Sequence, residues 1–155
     1  MRAVLIAIAA IFTQATAALA SGVLLSVTLA NGESTSMSRA DLEAMPVTEF
    51  TTSTLWTSGE VTFTGVSLVD FFAALGVETG VMRAVAINDY AVEIPVSDAA
   101  PGGPIVAYHM NGEAMSPRDK GPLWVVYPYD ANVDYQAETY YSRSIWQLTR
   151  IEITD

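Results

Sequence analysis

The 155-residue chain has no cysteine, one histidine and one lysine. Without a thiol there is no cysteine nucleophile, no thiolate metal ligand and no iron–sulfur cluster. Disulfides are excluded for the same reason, so the fold rests on its core alone. His109, in "IVAYHMNGE", has no second imidazole with which to share a zinc or copper ion. It reads instead as a residue on the exposed face of a strand beside a turn. Positive charge is scarce: seven Lys and Arg stand against seventeen Asp and Glu, a net charge of −10. A surface of that sign repels nucleic-acid phosphates and anionic lipid headgroups, which sets both aside as partners. Internal repeats, low-complexity tracts and linker-like runs are lacking too, so the sequence reads as one domain.

Long apolar runs are confined to the start. "MRAVLIAIAAIFTQATAALA" has Arg2, a short apolar stretch and Ala18-Leu19-Ala20, the pattern of a secretory signal peptide cleaved after Ala20. Val4 to Phe12 falls short of the ~20 apolar residues a membrane span needs. The expected mature chain, residues 21–155, is a single domain. Without Arg2 it keeps six basic residues against seventeen acidic ones, a net charge of −11.

What is present is short strands and turns. "VLLSVTLANGES" reads as a strand from Val23 to Leu29 entering an Asn31-Gly32 turn, and Asn111-Gly112 marks a second. Ser38 and Asp41 have capping-box spacing before a short helix ended by Pro46. "FTGVSLVDFFAALGV" gives the clearest helix: Ser67 caps it, Leu68, Phe71, Phe72 and Leu75 share a face, and Gly76 stops it. "VTEFTTSTL" favours a strand, and "MRAVAINDYAVEIP" gives two strand-like runs around Asn88-Asp89-Tyr90. "GPLWVVYP" is almost wholly apolar, as a buried central strand is. "SRSIWQLTRIEITD" reads as a brief helical or turn segment followed by a strand from Arg150 to Thr154. The fold class is α+β and strand-dominated, a barrel-like or sandwiched mixed sheet with two or three small helices.

Four pieces in this order, "FTGVSLVDFFAALGV", "AINDYAVEIPVSD", "IVAYHMNGEAMSPRDKGPLWVVYP" and "SRSIWQLTRIEI", resemble the sulfite-oxidase-type molybdopterin-binding domain. The likeness runs from Val47 to Ile153 and is nearest to the small, exported, stand-alone members of that fold. In the catalytic enzymes a cysteine thiolate ligates molybdenum. The equivalent region, near "FTTSTLWTSGE", offers serine and threonine, whose neutral hydroxyls lack the softness and charge the metal takes from sulfur. Cysteine-free relatives include periplasmic proteins that bind a reduced pterin without metal and pass its occupancy to a membrane-bound cyclic-di-GMP signalling enzyme. The resemblance thus implies a non-catalytic periplasmic protein, with a tetrahydropterin-like ligand free of molybdenum. Its implied partner is the periplasmic region of an inner-membrane signalling protein. The alternative is a molybdopterin-dependent oxidoreductase or a subunit of one, and a module acting through protein contacts alone is a third. A hydrolase fits poorly, since no nucleophile elbow accompanies His109.

A pterin gains from aromatic stacking, presents an N3–H and 2-amino donor pair that a carboxylate can accept, and takes donors at its oxygens. Trp56 and Thr57 lie in a loop of small polar residues, where the tryptophan either covers a strand end or stacks on the ligand. Asp89, between Asn88 and Tyr90, is either a turn residue or the carboxylate. Arg118 and Lys120, with Asp119, concentrate two of six mature basic residues in one turn, and Arg143 is the other basic candidate. Trp146 packs in the core with an edge free to line a pocket, whereas Trp124 belongs to the core. Tyr127, Tyr129, Tyr135, Tyr140 and Tyr141 are expected to add an aromatic surface at the same end. The expected site is a cavity bordered by Trp56, Asp89, Arg118 and Arg143.

Overall fold

The computed structural model describes residues 22–155, so the expected signal peptide lies outside the described residues. Ten strands and three α-helices follow one another: β1 (Val23–Thr28), β2 (Ser34–Ser38), α1 (Arg39–Glu43), β3 (Val47–Ser53), β4 (Glu60–Ser67) and α2 (Leu68–Leu75) come first. Then come β5 (Val81–Ala86), β6 (Ala91–Pro95), β7 (Ile105–Met110), β8 (Glu113–Ala114), β9 (Trp124–Val126), α3 (Glu138–Arg143) and β10 (Leu148–Thr154). The strands form two sheets, one ordered β2-β1-β10-β5-β6 and the other β3-β4-β7-β8, with β9 also paired to β7. Neither closes into a barrel. Every pairing is antiparallel except β1 with β10, which brings the two ends of the domain side by side. No helix among the described residues is long and apolar enough to cross a membrane.

Alternation decides which sheet face is buried. Leu25 and Val27 of β1 are fully buried while Ser26 between them is exposed, as the two-residue strand period requires. In β7 the run Ile105–Tyr108 is buried throughout, and β9 is too, because these strands are covered on both faces. One hydrophobic cluster takes residues from both sheets and from α1 and α2, with Phe63, Phe71, Trp124 and Leu148 among them. Each such large side chain contributes about 1.5–3 kcal/mol by leaving water.

The helix ends follow local chemistry. Ser38 and Asp41 form the reciprocal capping box. The Ser67 hydroxyl accepts from Asp70 N–H, and Gly76 ends α2 in the left-handed region at φ 68°.

Three features differ from the sequence reading. A full strand, β4, precedes α2, because "EVTFTGVS" alternates its buried Val61, Phe63 and Gly65 with half-exposed threonines. Only Trp124–Val126 of "GPLWVVYP" pairs with a neighbour, although burial runs unbroken from Gly121 to Tyr129. Tyr127 and Tyr129 are core residues rather than surface ones: they are 0% and 2% exposed, because the chain after β9 passes beneath α3.

Candidate functional site

Three segments meet at one end of the sheets and enclose a cavity of about 320 Å³. They are the β3–β4 loop with Trp56, the β5–β6 hairpin with Ala86, Asn88 and Tyr90, and the end of α3 running from Tyr141 to Gln147. That volume is at the lower end of the range for small-molecule sites.

Trp56 is the hub of the wall. Its ring makes edge-type contacts with Trp146 at 5.5 Å, Tyr141 at 5.9 Å, Trp124 at 6.0 Å and Tyr129 at 6.3 Å between centroids. Trp124 and Trp146 are themselves 5.9 Å apart, so the three tryptophans form one cluster. Trp124 Nε1 is buried without a hydrogen-bond partner behind them.

Hydrogen bonds hold the Trp56 loop at its start and within it. The Asp130 carboxylate accepts from Ser53 N–H at 2.5 Å and from Ser53 Oγ at 2.7 Å, and Asp130 N–H donates to Thr52 Oγ1 at 3.1 Å. These donations, the Ser53 backbone first, keep the Asp130 carboxyl below its ordinary range. Inside the loop, Trp56 N–H donates to Thr54 Oγ1 at 3.0 Å, and the Thr54 and Thr57 hydroxyls are 2.7 Å apart. Thr57 therefore braces the loop and is not a lining residue.

The hairpin and the α3 end are tied through Gln147, which adopts φ 52°. Its carbonyl accepts from Ile87 N–H at 3.0 Å and its N–H donates to Lys120 O at 3.1 Å. Its side-chain Nε2 donates to Pro117 O at 2.7 Å. A register shift in the β10–β5 pairing between Leu148 and Arg150 follows at once, a bulge of the kind that re-aims side chains beside sites.

Beneath α3 lies a charged anchor. Arg143 Nη1 donates to Asp98 Oδ1 at 3.0 Å and Oδ2 at 2.8 Å, and the Tyr127 hydroxyl donates to Oδ2 at 2.8 Å. Burial, then the Asp98 charge, raises the Tyr127 phenol well above its ordinary value. The Tyr129 and Ser144 hydroxyls are hydrogen-bonded in the core, and burial pushes the Tyr129 phenol up to about 12. Both tyrosines are therefore neutral donors.

Of the residues singled out from the sequence, Trp56, Asn88, Tyr90 and Trp146 line the cavity. Thr57, Asp89, Arg118, Lys120 and Arg143 do not. Asp89 occupies the hairpin turn at φ 65°, its side chain 82% exposed and 3.4 Å from Arg150 Nη2. Lys120 stands 3.9 Å from Asp119, and Arg118 is exposed on the loop that Gln147 tethers. Arg143 is committed to Asp98. Of the four residues expected to border the cavity together, Trp56 alone does so. Sequence reading placed Tyr141 in the aromatic surface at this end but passed over Ala86, Ser142, Ser144, Ile145 and Gln147. The four that lie in "YYSRSIWQ" could have been found by their closeness to Trp146, whereas nothing local marked Ala86.

No curated protein matches this sequence significantly. Among solved structures, the fold resembles the sulfane dehydrogenase SoxCD from Paracoccus pantotrophus, with a TM-score of 0.63 and 19% identity. The match covers 84% of this chain and 38% of that one, so this chain spans well under half the length of its structural neighbour. The neighbour thus supports a sulfite-oxidase-like fold. The family model for the oxidoreductase molybdopterin-binding domain matches residues 23–155, and the chain therefore belongs to that family.

Proposed function

We propose that this protein is an exported, non-catalytic pterin-binding protein that relays ligand occupancy to a membrane signalling protein of the cyclic-di-GMP type. The observation that carries the reading is the character of the cavity. Two tryptophans and two tyrosines surround a space sized for a small fused heterocycle, and no lining side chain is charged. Flat rings gain about 0.5–1.5 kcal/mol from such aromatic neighbours beyond the burial itself.

The molybdenum centre of the family fits the chain poorly. There is no cysteine in the sequence, and no cluster of three potential ligands occurs among the described residues. Where the resemblance puts the metal-binding thiolate, Thr52 and Ser53 engage Asp130. A hydroxyl so engaged replaces neither the charge nor the softness of sulfur. The pterin half of the family's cofactor needs none of these ligands. The build of the walls supports relay to a partner: two are a loop and a hairpin whose conformations a ligand can select, changing the outer surface with occupancy. The expected leader of residues 1–20 puts that surface in the periplasm.

The second reading, an oxidoreductase or a subunit of one, is favoured by the structural neighbour, a dehydrogenase by its name. Anaerobic calorimetry with a tetrahydropterin, together with elemental analysis, separates the two. The sensor reading expects one-to-one binding and no molybdenum. Stoichiometric molybdenum in the isolated protein would reverse the order of the readings, and indifference to every tetrahydropterin would reject the first.

A further inference from the structure

Hydrogen-bond accounting divides the polar groups of the cavity into committed and uncommitted ones. Ser144 Oγ is held by Tyr129 and donates to Tyr140 O, and Ser142 Oγ donates to Thr139 O. Gln147 spends its Nε2 on Pro117 O, and Asn88 spends its Oδ1 on Tyr90 N–H at 3.3 Å. The other half of each amide has no partner among the described residues: Asn88 Nδ2, a donor, and Gln147 Oε1, an acceptor. The two residues are also neighbours, because Ile87 N–H, one residue before Asn88, donates to the Gln147 carbonyl.

A donor and an acceptor lining one cavity can complement a lactam edge, in which a ring N–H adjoins a ring carbonyl. A carboxylate does something else, since it accepts twice and reads a pair of donors. Asp89 is the carboxylate of the hairpin turn, but it is exposed there and does not line the cavity. Charge points the same way. Arg143, the one cation on α3, is bonded to Asp98, and the lining carries no charge in a chain of net charge −10. A phosphate drawn into such a space would lose its hydration without gaining a counter-charge.

We infer that the cavity reads the uncharged lactam edge of its heterocycle, ring N–H to Gln147 Oε1 and ring carbonyl to Asn88 Nδ2, and discriminates against ligands carrying a phosphate. This rests on the pterin reading and narrows it to the phosphate-free class, with the two amides as the residues that set specificity.

The test is an anaerobic fluorescence titration of the exported chain with tetrahydroneopterin and with its monophosphate. The parent compound should bind with a Kd that changes little between about 50 and 500 mM salt, because no ion pair is involved. Its monophosphate should bind roughly tenfold more weakly or worse. Asn88→Ala and Gln147→Ala should each weaken the parent roughly five- to tenfold, the loss of one hydrogen bond. Asn88→Asp, which puts an acceptor where the donor stood, should weaken it more. A monophosphate that binds as tightly as the parent, or a salt-dependent Kd, overturns the inference without touching the pterin reading. So does Asn88→Asp binding as well as the native chain. If the native chain binds neither compound, the pterin reading falls and this inference with it. The ligand and salt comparisons use only the native chain, so a variant that misfolds does not blunt the test.

Discussion

Trp56 touches four aromatic rings, remains only partly buried and lines the cavity. Its replacement by alanine removes both stacking and apolar contact, and tetrahydropterin affinity should fall by about 2 kcal/mol, roughly thirtyfold. Calorimetry measures the loss, and unchanged far-UV circular dichroism shows that it is local. Asp130 contributes differently, by fixing the root of the Trp56 loop through Ser53. Its carboxyl is held below the ordinary range, so the stabilisation is present above the unfolded-state value near ~4 and is lost as pH falls through the folded value. Urea midpoints of the native chain and Asp130→Asn should therefore differ at pH 7 and converge as the pH drops below about 4. A gap that stayed constant to low pH would assign the effect to packing instead.

At the level of elements, β4 must approach β7 closely at the shift in register between Thr64 and Gly65. A methyl group on Gly65 would lie 2.1 Å from the Val106 carbonyl oxygen, inside any tolerable contact. Gly65→Ala should cost about 3 kcal/mol in chemical denaturation, whereas a glycine with open space around it and negative φ, such as Gly22, should tolerate alanine. The same level explains what could be read in advance. The caps of α1 and α2, the Asn111-Gly112 turn and the alternation in β1 are local signals, and each is written within a few residues. So is the candidacy of Trp56, a large ring in a polar loop with no apolar run to absorb it. The fate of Arg143 is not local, because its partner Asp98 lies 45 residues earlier in the chain. Nor is the role of Gln147, an unremarkable residue in sequence whose backbone and side chain join three segments. Charge attracted attention to Asp89 and Arg118, while the cavity is lined by neutral side chains.

Across the whole molecule, paired sheet and connecting segments are separated. The paired ends β1 and β10 lie within continuous sheet, whereas two of the three cavity walls are connections between strands. Ligand binding should slow amide exchange in residues 54–59 and 87–90 and leave β1 and β10 as they were, the pattern of a local closure. Exchange slowed uniformly over both sheets would instead describe global stabilisation, with no surface singled out for a partner. On the proposed reading the acidic exterior and the uncharged interior of the site have distinct parts, one keeping the chain apart from anionic polymers and membranes, the other choosing a heterocycle. Native mass spectrometry of the protein, isolated without oxygen from the cells that make it, asks the central question most directly. The account predicts one added mass, that of a reduced pterin without phosphate or molybdenum. The mass of a complete molybdenum cofactor on the folded chain would contradict it.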